Sequence, residues 1–210
     1  MELQIKPLKK QDYSKAIRFA IRGMNFDRYM ENKTVLDLYG RYFWYMEMGR
    51  ASQIMTAYSG DELAGVLLAE MKGAPKAHTS FWESLFVRIF DLVQHHFAEN
   101  GVGPYDSANG DMLKSLAEEY KLDGEICFLA ANPDLKIKGV GSLLLSELEK
   151  REPGKRIYLL TDSNCTYQFY EHRGFERVRE KKVTLGLAEK GDVEISCYLY
   201  SKAIAEPAGE

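Results

Sequence analysis

Apolar and polar positions divide the chain into three stretches. In the first, residues 3–5 read as a short strand, and residues 11–24 and 33–48 carry helical periodicity. The second of these helices places Leu36, Tyr39, Phe43 and Met46 at spacings of three and four, and Gly49 is expected to stop it. Residues 53–58 and 63–71 then read as a hairpin turning at Ser59-Gly60-Asp61.

Residues 73–124 interrupt that pattern. Ser80-Phe81-Trp82-Glu83 has the form of a capping box, in which hydroxyl and carboxylate each satisfy an orphan amide. Behind it, Trp82, Leu85, Phe86, Ile89, Val93 and Phe97 mark one helix face, a pattern more often core than binding surface, and Asn100-Gly101 ends it. A shorter helix is expected over 110–120. With helices of its own, this stretch reads as an insertion that packs on the domain and not as a linker.

The third stretch alternates strand and helix. Residues 126–131 form a short apolar run suited to a buried strand, and a loop over 132–138 leads to Gly139. Val140, Leu143, Leu144 and Leu148 make a helical stripe closed by Glu152-Pro153-Gly154. Residues 157–160 are a second buried strand, and 166–173 a short helix ending at Gly174. Residues 177–187 and 193–200 read as an antiparallel pair turning at Lys190-Gly191-Asp192. The expected class is α/β (α+β), a mixed sheet flanked by helices. One domain over residues 1–204 carries the helical insertion at 73–124, and 205–210 read as a frayed tail.

Composition narrows the function classes. The 210 residues include 28 Lys and Arg against 31 Asp and Glu, and the resulting net charge of −3 excludes a whole-protein basic field for nucleic acid. Three cysteines without a CxxC or Cys/His spacing argue against a disulfide framework and a structural zinc site. No apolar run reaches the ~20 residues of a membrane helix, and the opening MELQIKPLKK lacks a secretory apolar stretch. A soluble, cytoplasmic protein with no nucleic-acid or membrane partner and no metal is expected.

Lys136-Ile137-Lys138-Gly139-Val140-Gly141-Ser142 joins a buried strand to the start of a helix. Glycines admit close backbone approach, and the first helical amides are unpartnered and sit at the positive end of the dipole, which suits a phosphate. Lys136 and Lys138 add charge. An ordinary structural turn explains such glycines equally well. A dinucleotide site is the rival reading, with Asp162 as the ribose acid. Against it, Leu144 occupies the third glycine position and the loop before Gly139 is long. GxxxxGK[ST] is absent.

Two ordered motifs then resemble the GNAT family of acetyl-CoA-dependent N-acetyltransferases. Ala131-Asn132-Pro133-Asp134-Leu135-Lys136-Ile137-Lys138-Gly139-Val140-Gly141 is similar to that family's strand end and pyrophosphate loop, [QR]xxGx[GA]. Phe169-Tyr170-Glu171-His172-Arg173-Gly174-Phe175 is similar to its FYExxGF signature. Lys136 stands where the family usually has Gln or Arg, and Ile137 where it often has Gly. Ser163 holds the place of a CoA-contacting Asn, with Asn164 beside it.

The resemblance implies a mostly antiparallel central sheet and direct acetyl transfer from acetyl-CoA to a primary amine on a small molecule or peptide. It implies cofactor contacts at Leu129, Ala130, Ala131, Lys136, Ile137, Lys138, Gly139, Val140, Gly141, Ser142, Asn164, Phe169 and Tyr170. Tyr170 is implied as the acid that protonates the departing thiolate, and a homodimer fits the same resemblance. A catalytically silent acyl-CoA-binding module is the alternative, and a nucleotide-dependent oxidoreductase the third reading. The general base stays open among Asp162, Glu70, Glu125 and a water chain, each acid being more often structural. Cys165 reads as a small buried residue, not a nucleophile. The adjacent His95-His96 pair cannot share a helix face as metal ligands do. Tyr39, Tyr42, Phe43, Trp44 and Tyr45 form an aromatic cluster that borders the acceptor groove in the resembling family, although packing explains most such residues. The 73–124 insertion is expected to shape the acceptor side.

Overall fold

The computed structural model describes residues 2–28, 30–97, 103–187 and 191–206. A seven-stranded sheet runs in the order β1-β2-β3-β4-β5-β7-β6. Its strands are β1 (Leu3–Lys6), β2 (Gln53–Ser59), β3 (Glu62–Met71), β4 (Gly124–Ala131), β5 (Arg156–Asp162), β6 (Glu176–Leu187) and β7 (Gly191–Ala203). Every neighbouring pair is antiparallel except β4 and β5.

The helices are α1 (Tyr13–Gly23), α2 (Lys33–Arg50), α3 (Phe81–Phe97), α4 (Gly103–Glu119), α5 (Val140–Arg151) and the single turn α6 (Gln168–Glu171). Strand alternation sorts them onto two faces. Leu67, Ile126, Ile157, Leu159 and Tyr200 point to the face covered by α5, with α6 at its edge. Their neighbours Val66, Leu68 and Phe128 point to the opposite face, under α1 and α2. On that opposite face, Tyr158, Cys197 and Leu199 meet Ala108, Met112 and Leu116 of α4.

Several expected boundaries shift for physical reasons. Gly49 does not stop α2; the helix runs to Arg50, and Ala51 closes it in extended conformation with its N–H on the Glu47 carbonyl. Asn32 caps the other end, its side chain accepting from the Thr34 and Val35 amides. Helix α4 starts seven residues before the expected Gly110, because Pro104 sits in its first turn, where the missing N–H costs nothing. Only half of the capping box forms. The Glu83 amide donates to Ser80 Oγ at 3.4 Å, while the Glu83 carboxylate pairs with His78 Nε2 at 2.7 Å.

The apolar stripe expected to be core on α3 is split. Phe86 packs on Tyr45 and Phe90 stacks on Tyr42 of α2, but Trp82, Ile89 and Val93 are exposed. The side chains of His95, His96 and Phe97 lie outside the described set, as do residues Asn100, Gly101 and Lys190 and the end of the tail from 207. Among the described residues, no helix is long and apolar enough to cross a membrane.

Candidate active site

The site originates in a break in the sheet. Strands β4 and β5 pair only at Gly124↔Ile157 and Glu125↔Tyr158, while β4 stays paired with β3 along its whole length. From Ile126 onward the two parallel strands splay, so the β4 backbone on that side has no strand partner. A bulge reinforces the divergence: Leu68 faces Phe128 and Ala69 faces Ile126, leaving Cys127 as the extra residue.

A cavity of about 710 Å³ fills the split, within the range usual for small-molecule sites. Its wall takes Ile126, Leu129, Leu159 and Tyr170 from the α5 face and Met24, Cys127, Phe128 and Leu160 from the opposite face. The opening therefore passes between the strands, through the sheet.

At one end of this cavity lies the start of α5. Gly139 occupies the N-cap with φ +86°, and no side chain caps the helix. That backbone leaves the first amides of α5 facing the cavity end. Gly141 is needed for a close approach: a Cβ there would stand 2.9 Å from the tip of the Phe169 ring. The loop leading in is set by Asn132, whose amide donates to the Ala64 carbonyl at 2.7 Å and whose Oδ1 accepts from the Asp134 amide at 2.9 Å.

Tyr170 comes from α6, too short to be stable alone. Its neighbours hold it. The Glu171 carboxylate accepts from Tyr200 at 2.6 Å and from Arg177 at 2.7 Å, and Gly174 turns the chain with φ +76°. The Tyr170 ring packs edge-on against Phe169 and Phe175. Burial, and secondarily the Cys165 thiol, push its phenol well above the usual tyrosine range, so it stays protonated.

Of the expected cofactor contacts, Leu129, Ala130, Ala131, Ile137, Gly139, Val140, Gly141, Ser142, Phe169 and Tyr170 line the cavity. Lys136 and Lys138 are exposed and lie off its wall, as does Asn164, whose carbonyl accepts from Asn25 Nδ2 at 3.0 Å. Sequence reasoning missed Gly23 and Met24 at the end of α1, and it passed over Arg173. Arg173 hydrogen-bonds Ser142 Oγ and stands over the Phe169 ring, placing a cation beside the start of α5. Arg173 falls at an unspecified position of the second signature, so neither it nor Gly23 and Met24 had a signal in the sequence.

The candidate bases are engaged elsewhere. Asp162 is buried, with Oδ1 accepting from the Asn164 amide at 2.7 Å and Oδ2 from the Tyr105 hydroxyl at 3.3 Å. Glu125 chelates Arg50 at 2.7 and 2.9 Å and accepts from Tyr158, and Glu70 meets the same guanidinium at 3.2 Å. Cys165 lines the cavity, but burial and the nearby Asp162 push its thiol up to about 11, so little thiolate exists at neutral pH. In the aromatic cluster, Phe43 and Trp44 pack on Phe128 as core.

No family model matches the chain, and no curated protein matches it. Solved structures do. An acetyltransferase from Corynebacterium glutamicum, described as histone acetyltransferase HPA2 and related acetyltransferase, superposes over 100% of both chains at 16% identity and TM-score 0.57. An N-acetyltransferase from Staphylococcus aureus Mu50 covers 97% of this chain and 99% of its own, at 13% identity and TM-score 0.52. An agmatine N-acetyltransferase covers 95% and 99%, at 8% identity and TM-score 0.51. The fold is that of the GNAT acetyltransferases. A mostly antiparallel sheet with one parallel pair is not the doubly wound parallel sheet of a dinucleotide-dependent oxidoreductase, so that third reading falls.

Proposed function

We propose that this GNAT-fold protein is an N-acetyltransferase that moves an acetyl group from acetyl-CoA directly to a primary amine. One observation carries the reading: the uncapped glycine turn at the start of α5 and the Tyr170 phenol line a single cavity, between strands that have separated. The residues present fit acetyl-CoA. Amides at 139–142 and the Arg173 guanidinium suit a diphosphate, and the unpaired edge of β4 offers main-chain groups to the amides of a pantetheine arm.

The reaction forms a C–N bond to the amine, breaks the C–S bond, moves one proton off the amine and delivers one to the thiolate. The chain supplies an amide of β4 near Leu129 to the developing oxyanion and the proton held on Tyr170 to the sulfur. Water takes the amine proton in this reading, because Asp162, Glu70 and Glu125 do not line the cavity. The acceptor enters from the α1/α2 face. Helix α4 approaches that side through Tyr105, whose hydroxyl donates to Asp162 at the end of β5 at 3.3 Å. The 73–124 segment thus shapes the acceptor side.

Tyr170→Phe tests the assignment. Turnover measured by amine-dependent CoA release is expected to fall ~10²-fold or more, with acetyl-CoA affinity by calorimetry unchanged. Acetyl-CoA binding without turnover on any amine of a broad panel would instead favour a silent acyl-CoA-binding module. Absence of any binding would refute both.

A further inference from the structure

Helix α3 is apolar on two sides and, among the described residues, has a partner on only one. Phe86 and Phe90 face α2. Roughly a quarter-turn around, Phe81 is 73% exposed, Trp82 75%, Ile89 54%, Leu92 67% and Val93 50%, with Leu85 half-buried among them. A helix apolar on two faces is ordinarily buried on both. Trp82, Leu85, Ile89 and Leu92 follow one another at spacings of three, four and three, the seam of a helix that packs lengthwise on another helix.

We propose that this seam is the contact of a homodimer, in which α3 of a second copy lies antiparallel along it. Self-complementarity supports the choice of occupant. A twofold axis between Leu85 and Ile89 sets Leu85 against Ile89, Trp82 against Leu92 and Phe81 against Val93, so every apolar residue of the stripe meets another. The area supports it too. The stripe presents on the order of 600 Å², and two copies would cover about 1,200 Å², the lower edge of stable interfaces. A membrane surface fits less well. Residues 81–93 carry Glu83 and Asp91 against Arg88 alone, a local charge of 1 − 2 = −1, whereas interfacial helices flank their apolar face with Lys and Arg. The inference stands apart from the catalytic reading, because no residue of the seam touches the cavity.

Sedimentation equilibrium of the full chain tests it. The wild type is expected at twice the 24.0 kDa chain mass, and Ile89→Glu and Leu92→Glu, tested separately, at the chain mass itself. Each substitution should raise the dissociation constant at least ~100-fold, since every copy then buries a carboxylate against an apolar side chain of the other. Both positions are exposed in the single chain, so far-UV circular dichroism should not change. A wild type that stays monomeric at high micromolar concentration, or glutamate variants that stay dimeric, would overturn the proposal. So would a monomer that co-sediments with neutral phosphatidylcholine vesicles, which would assign the seam to lipid.

Discussion

Glu47 offers a quantitative test of the polar cluster beneath the cavity. It lies on α2 with 5% exposure, and its Oε2 accepts from Arg50 Nε at 2.6 Å. Burial pushes its carboxyl up to about 7 against the pull of Arg50, and Glu125 adds repulsion. Arg50 is charged throughout this range, and three carboxylates share it. A folded value of about 7, against the ordinary 4.5, means that the folded chain binds this proton more tightly than the unfolded chain. The stability from this group is therefore fully present below pH 4.5 and is lost as pH rises through about 7. The shift corresponds to at most about 3 kcal/mol. Glu47→Gln keeps an acceptor for Arg50 Nε and removes the titration. Urea unfolding of both chains from about pH 4.5 to about pH 8 should show the difference moving in favour of the glutamine variant by up to ~3 kcal/mol. A difference that is constant with pH, or that moves the other way, would refute a buried carboxylate resisting ionisation.

Two more substitutions probe the α5 end of the cavity. In Gly65→Ala, the new Cβ would stand 2.5 Å from Val140 Cγ1 and 3.0 Å from the Ala130 carbonyl. Overpacking there should cost ~1–3 kcal/mol and displace the first turn of α5, lowering both Tm and CoA affinity; if neither changes, the close packing of α5 on β3 is wrong. Arg173→Ala removes the cation beside Ser142. Calorimetry at two salt concentrations should show CoA binding weakened ~10-fold at low salt, with the gap to wild type narrowing as salt screens the charge; an equal loss at both would deny Arg173 an electrostatic role.

Local patterns proved legible, and long-range ones did not. Alternation over 53–71 and the stripe of α5 report which side of an element meets the core, and strand β3 and helix α5 form where those patterns place them. The glycine turn before α5 was also readable, since a strand, two glycines and a helix must place unpaired amides at one point. Gly49 misled because a glycine at a helix end is a permission, not a stop; the chain direction required by β2 ends α2 instead. Residues 103–109 stood outside the helix expected over 110–120, yet α4 forms through them because Ala108, Met112 and Leu116 bury against β5 and β7. The α3 stripe was legible as apolar but not as unpartnered, because no local pattern says how many helices surround another. Arg173 and Met24 reach the cavity only through the packing of α6 and α1.

The acids that sequence offered as bases acquire a different meaning from their places in the sheet. Glu125 sits on the last rung where β4 and β5 still pair, opposite Tyr158, and accepts the Tyr158 hydroxyl at 3.1 Å while it chelates Arg50. Arg50 in turn reaches Glu70 on β3 and Glu47 on α2. One guanidinium thus ties α2, β3 and β4, and through Tyr158 β5, at the point where the sheet begins to open. Asp162 performs the matching task at the far end of β5, holding the turn to Asn164 and the Tyr105 hydroxyl of α4. A split between parallel strands exposes main-chain groups on both edges and would close if nothing held its ends. These carboxylates tie the strands on either side of the opening that Tyr170 lines.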